Sequence, residues 1–534
     1  MSAQVENAFA GSESVRRAAL KILNWRLALW VAGIALLFRL FTLGITTSTP
    51  GFYVDESGLA YNAYLVSRTG AGEFGPRFPL YFEFYTNGFT QYCSPTQVYL
   101  LAIVFRVFGP SIFLARMFSA LWIFSACLLL GLLAKRVSGR NATAMIVTAA
   151  ALLTPWLFEA RGILMEPHFV PFAVTVFLLA VYEAQKSESW GWQHAIILAG
   201  SLALLTYCYT SGRLLGGLFA VGLFSFATSR QRLVAVGRTW VLYGLTLIPL
   251  LIYNLWHPGI LTRRLYEISY IRPGMALNHI ASEFVRRYLE DQSLTGLLLI
   301  GDYHPRHHVP GSGGAILFAT FLLAAFGLLL VISRGLRDPW WRFVAYGLAV
   351  SVVPGAITIE PFHQMRLMAY PVFLLLLMVP ALEWAMGRET KDAPRHSARW
   401  SAPFDIPECS RSTRLALLVV LLVAMVVQAF HFQTIFRRDG PQREFDFDVP
   451  YKAAYDAAVA QPGRPIYLED GFWGPAYIHA FWYAAVEGRP LTEFAHLEAG
   501  KKAPPGGVVI SSAQNCKNCE VMKRSGVYLL YKSN

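Results

Sequence analysis

The sequence predicts a polytopic α-helical membrane protein with about eleven transmembrane helices and a small α/β domain at its C-terminal end. Two observations predict it. Of 534 residues, 55% are hydrophobic and only 15% charged, with a mean hydropathy of +0.42, far from the balance of a soluble chain of this size. The apolar residues also gather in runs of roughly bilayer length, and Lys and Arg cluster in alternate loops between them.

Residues 1–26 carry Arg16, Arg17, Lys21 and Arg26 and run into an apolar stretch with no small-residue cleavage site. They read as a cytoplasmic segment before a retained anchor, and no signal peptide is expected. Apolar runs near 27–46, 111–133, 142–158, 167–184, 194–210, 213–228, 239–256, 314–333, 342–358, 367–387 and 413–431 build a membrane domain over 27–431. With the N-terminus inside, the inside loops receive Lys135, Arg136 and Arg140, then Arg230, Arg232 and Arg238, then Arg334 and Arg337, then the linker from Arg388 to Arg414. Residues 95–108 (PTQVYLLAIVFRVF) are apolar but too short to span, so a helix at the outer surface, or dipping partway in, is expected there.

An odd number of spans leaves residues 432–534 outside. There RPIYLED at 464–470, a helix around 473–486, GGVVISS at 506–512 and VYLLYK at 527–532 predict a small extracytoplasmic α/β domain, with length enough for a core of its own. Cys516 and Cys519 form NCKNC in this part. Outside the cytoplasm, and with no second Cys or His pair at a ligand spacing, the pair reads as a disulfide ahead of a zinc half-site or a redox motif. The formal charge of +13 could suit nucleic acid, but the basic residues lie in short clusters between apolar runs. They read as topology signals and contacts to lipid phosphate, so membrane lipids are expected partners and nucleic acid is not.

Four pieces then face outside: the loop 47–110, the turn FEARGILMEPHF at 158–169, the loop 257–313 and the turn EPFHQMR at 360–366. The candidate chemistry collects on that face. Asp55 and Glu56, in GFYVDESGLAYNAYLVSRTG, follow the first span, where acids near lipid are costly to keep. One of them can cap a helix starting near Ser57; two are better explained by Asp55 acting as a general base and Glu56 orienting a substrate or pairing with a cation. Glu166 comes from the next outer turn, either as a surface partner of Arg161 or as a second acid framing an acceptor or a cation.

The loop GDYHPRHHVPGSGG brings His304, Arg306, His307 and His308 in front of a glycine-rich entry into a span. It reads as a phosphate cradle, as a basic loop at headgroup level, or as a zinc site; the zinc reading is disfavoured because no acidic partner for the histidines stands out locally. In EPFHQMR, His363 and Arg366 are three residues apart and share a helical face, suited to holding a lipid-borne phosphate unless Arg366 merely reaches for headgroups. Arg213 in YTSGRLL is a weaker candidate of the same kind.

The series GFYVDESGLAYNAYLVSRTG, SPTQVYLLAIVFRVFGPSIFLARMFSAL, ARGILMEP, GDYHPRHHVPG and PFHQMR, over roughly residues 27–390, resembles the GT-C glycosyltransferases of families 39 and 83, the protein O-mannosyltransferase and lipid A aminoarabinose transferase relatives. The resemblance implies a GT-C-like membrane domain with an acidic pair at Asp55 and Glu56 and a second acid at Glu166. It further implies that Arg306, His307, His363 and Arg366 bind a lipid phosphate. The donor it implies is a sugar on a polyprenyl phosphate, and the acceptor is a protein, lipid or glycan. The setting it implies is a bacterial cytoplasmic membrane with the site facing outside. Glu166 stands where many relatives have Asp. The WWD signature of oligosaccharyltransferases is absent, since PWWR at 339–342 falls on the inside.

Such a reaction develops positive charge at the anomeric carbon and negative charge on the departing phosphate, so a base for the acceptor and cations for the phosphate are needed together. Both are expected on one face here. No cofactor is certain, and a divalent metal stays open. The competing classes are a transporter or flippase of lipid-linked sugars, for which internal repeats and midplane charges are the expected signs, and a catalytically silent relative.

Overall fold

The structure, a computed structural model, describes residues 25–84, 91–333, 336–387, 410–471, 476–497, 501–512 and 519–534. The described residues fall into two compact units, one ending at Leu43 and the other beginning at Gly44. The first contributes the apolar helix Trp25–Phe41. In the second, each later run expected to span coincides with helix: Ile112–Ser138, Asn141–Leu153, Val170–Lys186, Trp192–Cys208, Thr210–Gly222, Arg230–Trp256, Phe318–Ser333, Pro339–Ser351, Tyr370–Met386 and Arg411–Asp439. Among the described residues, four segments are long and apolar enough to cross a membrane: Ile112–Ser138, Glu166–Lys186, Arg230–Trp256 and Arg411–Gln442. In the last two, most of the apolar window stays uncovered by protein, as lipid-facing helices require.

In the sequence between helices Trp25–Phe41 and Ile112–Ser138, the chain forms two helices and a two-stranded sheet. Helix Val54–Thr69 starts where Glu56 turns back to accept the Tyr53 N–H at 3.0 Å, the carboxylate half of a capping box. It stops at Gly70, whose φ of 75° sets the left-handed residue of the C-terminus. Strands β1 (Phe82–Phe84) and β2 (Gln91–Cys93) pair antiparallel. Helix Pro95–Phe108 follows, with Val98, Leu101, Ala102 and Phe105 buried on one side and Ile103, Val107 and Phe108 exposed on the other. At 14 residues it is too short to span about 30 Å of hydrocarbon.

The C-terminal part is an α/β layer. Its sheet has the order β4–β3–β5–β7–β6, with β3 (Ile466–Glu469) parallel to β4 (Phe494–Leu497) and β5 (Val508–Ser511), and β7 (Tyr528–Lys532) antiparallel to β5 and β6 (Glu520–Ser525). Helices Val449–Val459 and Ala476–Glu487 accompany it. The expected core of its own is corrected. One continuous apolar cluster joins Tyr451, Ile478, Trp482 and Ile510 of this layer to Phe52, Leu59 and Phe105 of the segment before Ile112 and to Leu164. Trp482 stacks on Phe52 at 5.3 Å and on Phe105 at 5.8 Å. Helix Ala476–Glu487 therefore joins the sheet to helices Val54–Thr69 and Pro95–Phe108.

Candidate active site

Asp55 and Glu56 are neighbours on one helix turn, but they serve different surroundings. Asp55 is half-buried and lines a cavity of about 650 Å³. Glu56 is fully buried beneath it, outside that lining, and its carboxylate is saturated by Arg116 (3.1 and 3.2 Å), the Leu164 N–H (2.9 Å) and the Tyr53 N–H. Arg116 also donates to the Thr49 and Gly51 carbonyls at 2.6 and 2.8 Å. Glu56 thus pairs with a cation, as one of the two roles expected for it requires, but that cation belongs to the protein, and orientation of a substrate by Glu56 is corrected to orientation of the helix. The arrangement leaves Asp55 as the acid of the pair that meets the cavity.

Of the other residues expected at the site, Glu166, Arg213, His304, Arg306, His307, His363 and Arg366 line the same cavity and His308 does not. The size of the cavity suits a ligand of small-molecule dimensions. Glu166 accepts the Ser94 N–H in front of helix Pro95–Phe108, and Gln97 Nε2 holds its turn through the Met165 and Glu166 carbonyls at 2.9 and 2.8 Å. Arg213 lies over the Tyr81 ring at 4.8 Å and donates to the Leu261 carbonyl at 3.1 Å. Arg306 lies over the Tyr53 ring at 3.7 Å, and among the described residues it makes no hydrogen bond or ion pair. Arg366 bonds Thr358 Oγ1 at 2.8 Å and Glu360 at 2.5 Å.

The histidine loop is built by acids that sequence reading passed over. Asp302 accepts from His304 Nδ1 (3.1 Å) and His307 Nδ1 (2.8 Å), and also from the His304 and Gln364 N–H groups. It is the acidic partner whose absence counted against a metal, and it stands two residues before His304. His304, His307 and His363 each present a ligand atom, all within 4.8 Å of one another. Because Asp302 takes the Nδ1 protons of two of them, Nε2 is the nitrogen that His304 and His307 can turn to a Lewis acid, with His304 Nε2 also 3.8 Å from Glu360. His308 faces away: it meets Glu159 at 2.6 Å and the Gly313 carbonyl at 2.7 Å, pinning the loop from behind. Gly301, with φ 68°, permits this, since a Cβ there would stand 2.2 Å from the His308 ring. On the facing turn, Phe362 is held at φ 48° with its N–H on Asp291 at 2.6 Å, which turns His363 toward the loop.

Burial pushes the Asp55 carboxyl up to about 7, with Glu166, Asp448 and Glu56 adding to the rise and Arg264 opposing it. Burial likewise raises Glu166, against the Ser94 bonds and Arg213. Burial lowers His307 and, further, His363, whereas the Asp302 hydrogen bond raises His304. Arg263, Arg264, Glu267 and Glu360 also line the cavity and were missed from sequence. For the first three the signal was present in the run TRRLYE at 262–267, on helix Ile260–Ile268. Cys519 is engaged in a disulfide, and Cys516 lies outside the described residues.

No protein-family model and no curated protein matches the chain by sequence. Solved structures do match by shape. The crystal structure of ArnT from Cupriavidus metallidurans bound to undecaprenyl phosphate superposes over 94% of this chain and 97% of its own, with a TM-score of 0.54 at 12% identity. The apo state of the same protein gives 0.56 at 13% identity, over 94% and 98% of the two chains. The archaeal oligosaccharyltransferase AglB from Archaeoglobus fulgidus is less similar, with a TM-score of 0.47 at 13% identity over 87% of this chain and 64% of that one. The chain has the GT-C fold that its motifs resemble.

Proposed function

We propose that the protein is a glycosyltransferase that moves a sugar from a polyprenyl-phosphate donor to an acceptor on the extracytoplasmic face of the membrane. The observation that carries this reading is the convergence of Asp55 and Glu166 with Arg213, Arg306, His307, His363 and Arg366 on one cavity. Asp55 takes the acceptor proton as the acceptor attacks the anomeric carbon. The guanidinium groups of Arg213, Arg306 and Arg366 on the same cavity neutralise the phosphate that departs. Glu166 frames the acceptor, and Glu56 keeps Asp55 in place through Arg116. The ArnT neighbour supports the donor class, since it holds undecaprenyl phosphate in the same fold.

In this reading His304, His307 and His363 hold one divalent metal ion, which when bound supplies a Lewis acid beside the phosphate. Proteoliposomes supplied with a polyprenyl-phosphate sugar test the assignment. Transfer of the sugar to an added acceptor, lost in Asp55→Asn, is the expected result. Translocation of the intact lipid without cleavage would make the protein a transporter instead.

A further inference from the structure

The C-terminal layer reaches into the first turn of the helix that carries Asp55. Asp448, at the start of helix Val449–Val459, sits at φ 51°, a backbone conformation that Asp tolerates better than most residues. One of its carboxylate oxygens, Oδ2, accepts the Val54 N–H at 3.1 Å, the amide next to Asp55, and the other accepts the Tyr528 hydroxyl at 3.0 Å. His479, buried in helix Ala476–Glu487, bonds Ser57 Oγ through Nδ1 at 2.9 Å and brings Nε2 to 3.4 Å from Asp448 Oδ2. The backbone fits equally closely: a Cβ at Gly51, just before the helix, would stand 2.1 Å from the Phe447 carbonyl oxygen.

We propose that Asp448 and His479 are positioning residues for the base: they fix the first turn of its helix from the C-terminal layer, and Asp448 keeps a second negative charge beside Asp55. Three carboxylates, on Asp55, Glu56 and Asp448, share this helix N-terminus. Arg116 neutralises Glu56, and the open N–H of Val54 engages Asp448, so Asp55 alone is left to exchange a proton with a ligand. The groups acting on Asp55 are Arg264, Glu166, Asp448 and Glu56, and removal of the Asp448 charge favours its ionised form. This inference rests on the transferase reading for its link to catalysis, and on geometry for the clamp.

Two variants separate charge from clamp. Asp448→Asn keeps an acceptor for Val54 and loses the charge. The acid limb of kcat/KM should move to lower pH by roughly one to two units, the order expected for removing one charge about 6–12 Å away at an effective dielectric of about 20. Asp448→Ala loses both; kcat should fall about tenfold or more at unchanged donor KM, and amide hydrogen exchange over 53–58 should speed up in this variant only. An unmoved pH profile in Asp448→Asn would overturn the charge role, and unchanged exchange in Asp448→Ala would overturn the clamp. If the wild-type protein transfers no sugar, the transferase reading fails, while the exchange measurement still decides the clamp.

Discussion

The Arg116 guanidinium and the Glu56 carboxylate meet at 3.1 Å with side-chain exposures of 1% and 0%. A buried pair of this kind contributes little relative to a well-packed apolar pair, but breaking it strands a charge. Arg116→Met should therefore destabilise the protein by about 3–5 kcal/mol, read as a lower thermal midpoint in detergent and a lower folded yield. Glu56→Gln, which keeps an acceptor for Leu164, should cost less. Changing both residues together should recover part of the loss.

Asp55→Asn should behave in the opposite way. It removes the base and should lower turnover by about 10²–10⁴-fold while the protein still inserts and binds donor lipid. Near-normal turnover in this variant would take Asp55 out of that role.

The raised proton affinity of Asp55 gives two pH effects of opposite sign. The base works as the carboxylate, so kcat/KM should rise with pH through about 7 and level off above it. Folding prefers the neutral form, because the folded pKa lies above the unfolded value of 3.8; this contribution to stability is complete below that value and is lost as pH rises to about 7. Asp55→Asn should consequently raise the thermal midpoint at pH 8 more than at pH 5. An equal shift at both would mean that Asp55 is not desolvated in the folded protein.

The long apolar helices and the short one at 95–108 were legible because burial in lipid writes itself as apolar run length and loop charge, and the helices fall on those runs. Strands β3, β5 and β7 were legible from their apolar residues, whereas β6 was not: its side chains are largely exposed and polar (EVMKRS), with no alternation to read. The division of labour between Asp55 and Glu56 was also hidden, since it depends on Arg116 arriving from a helix 60 residues away. Asp302 stood in plain view two residues before His304, but only the fold shows its carboxylate reaching two imidazoles.

Arg306 is the cation to test first for the donor, because among the described residues it is held by stacking on Tyr53 rather than by an acid. A charge-assisted hydrogen bond to phosphate is worth about 1.5–3 kcal/mol, so Arg306→Ala should raise the donor KM by roughly 10–150-fold with a smaller change in kcat. Arg306→Lys should recover only part of this, since an ammonium lacks the planar fork. An unchanged donor KM in Arg306→Ala would place the phosphate elsewhere in the cavity.

The three histidines can be tested without any turnover. If His304, His307 and His363 hold a divalent ion, protein purified without chelator should carry about one equivalent of a metal that favours imidazole, zinc being the first to measure. His307→Ala should lose it. Asp302→Asn should weaken it by about 10–100-fold, because the ring orientations of His304 and His307 depend on that carboxylate. Removing the ion should leave the protein folded, since Glu159 with His308 and Asp291 with the Phe362 amide fasten the two loops independently. Binding of a zinc-class ion that survives His307→Ala and His363→Ala unchanged would mean that the histidines meet the phosphate as hydrogen-bond donors, with no metal between.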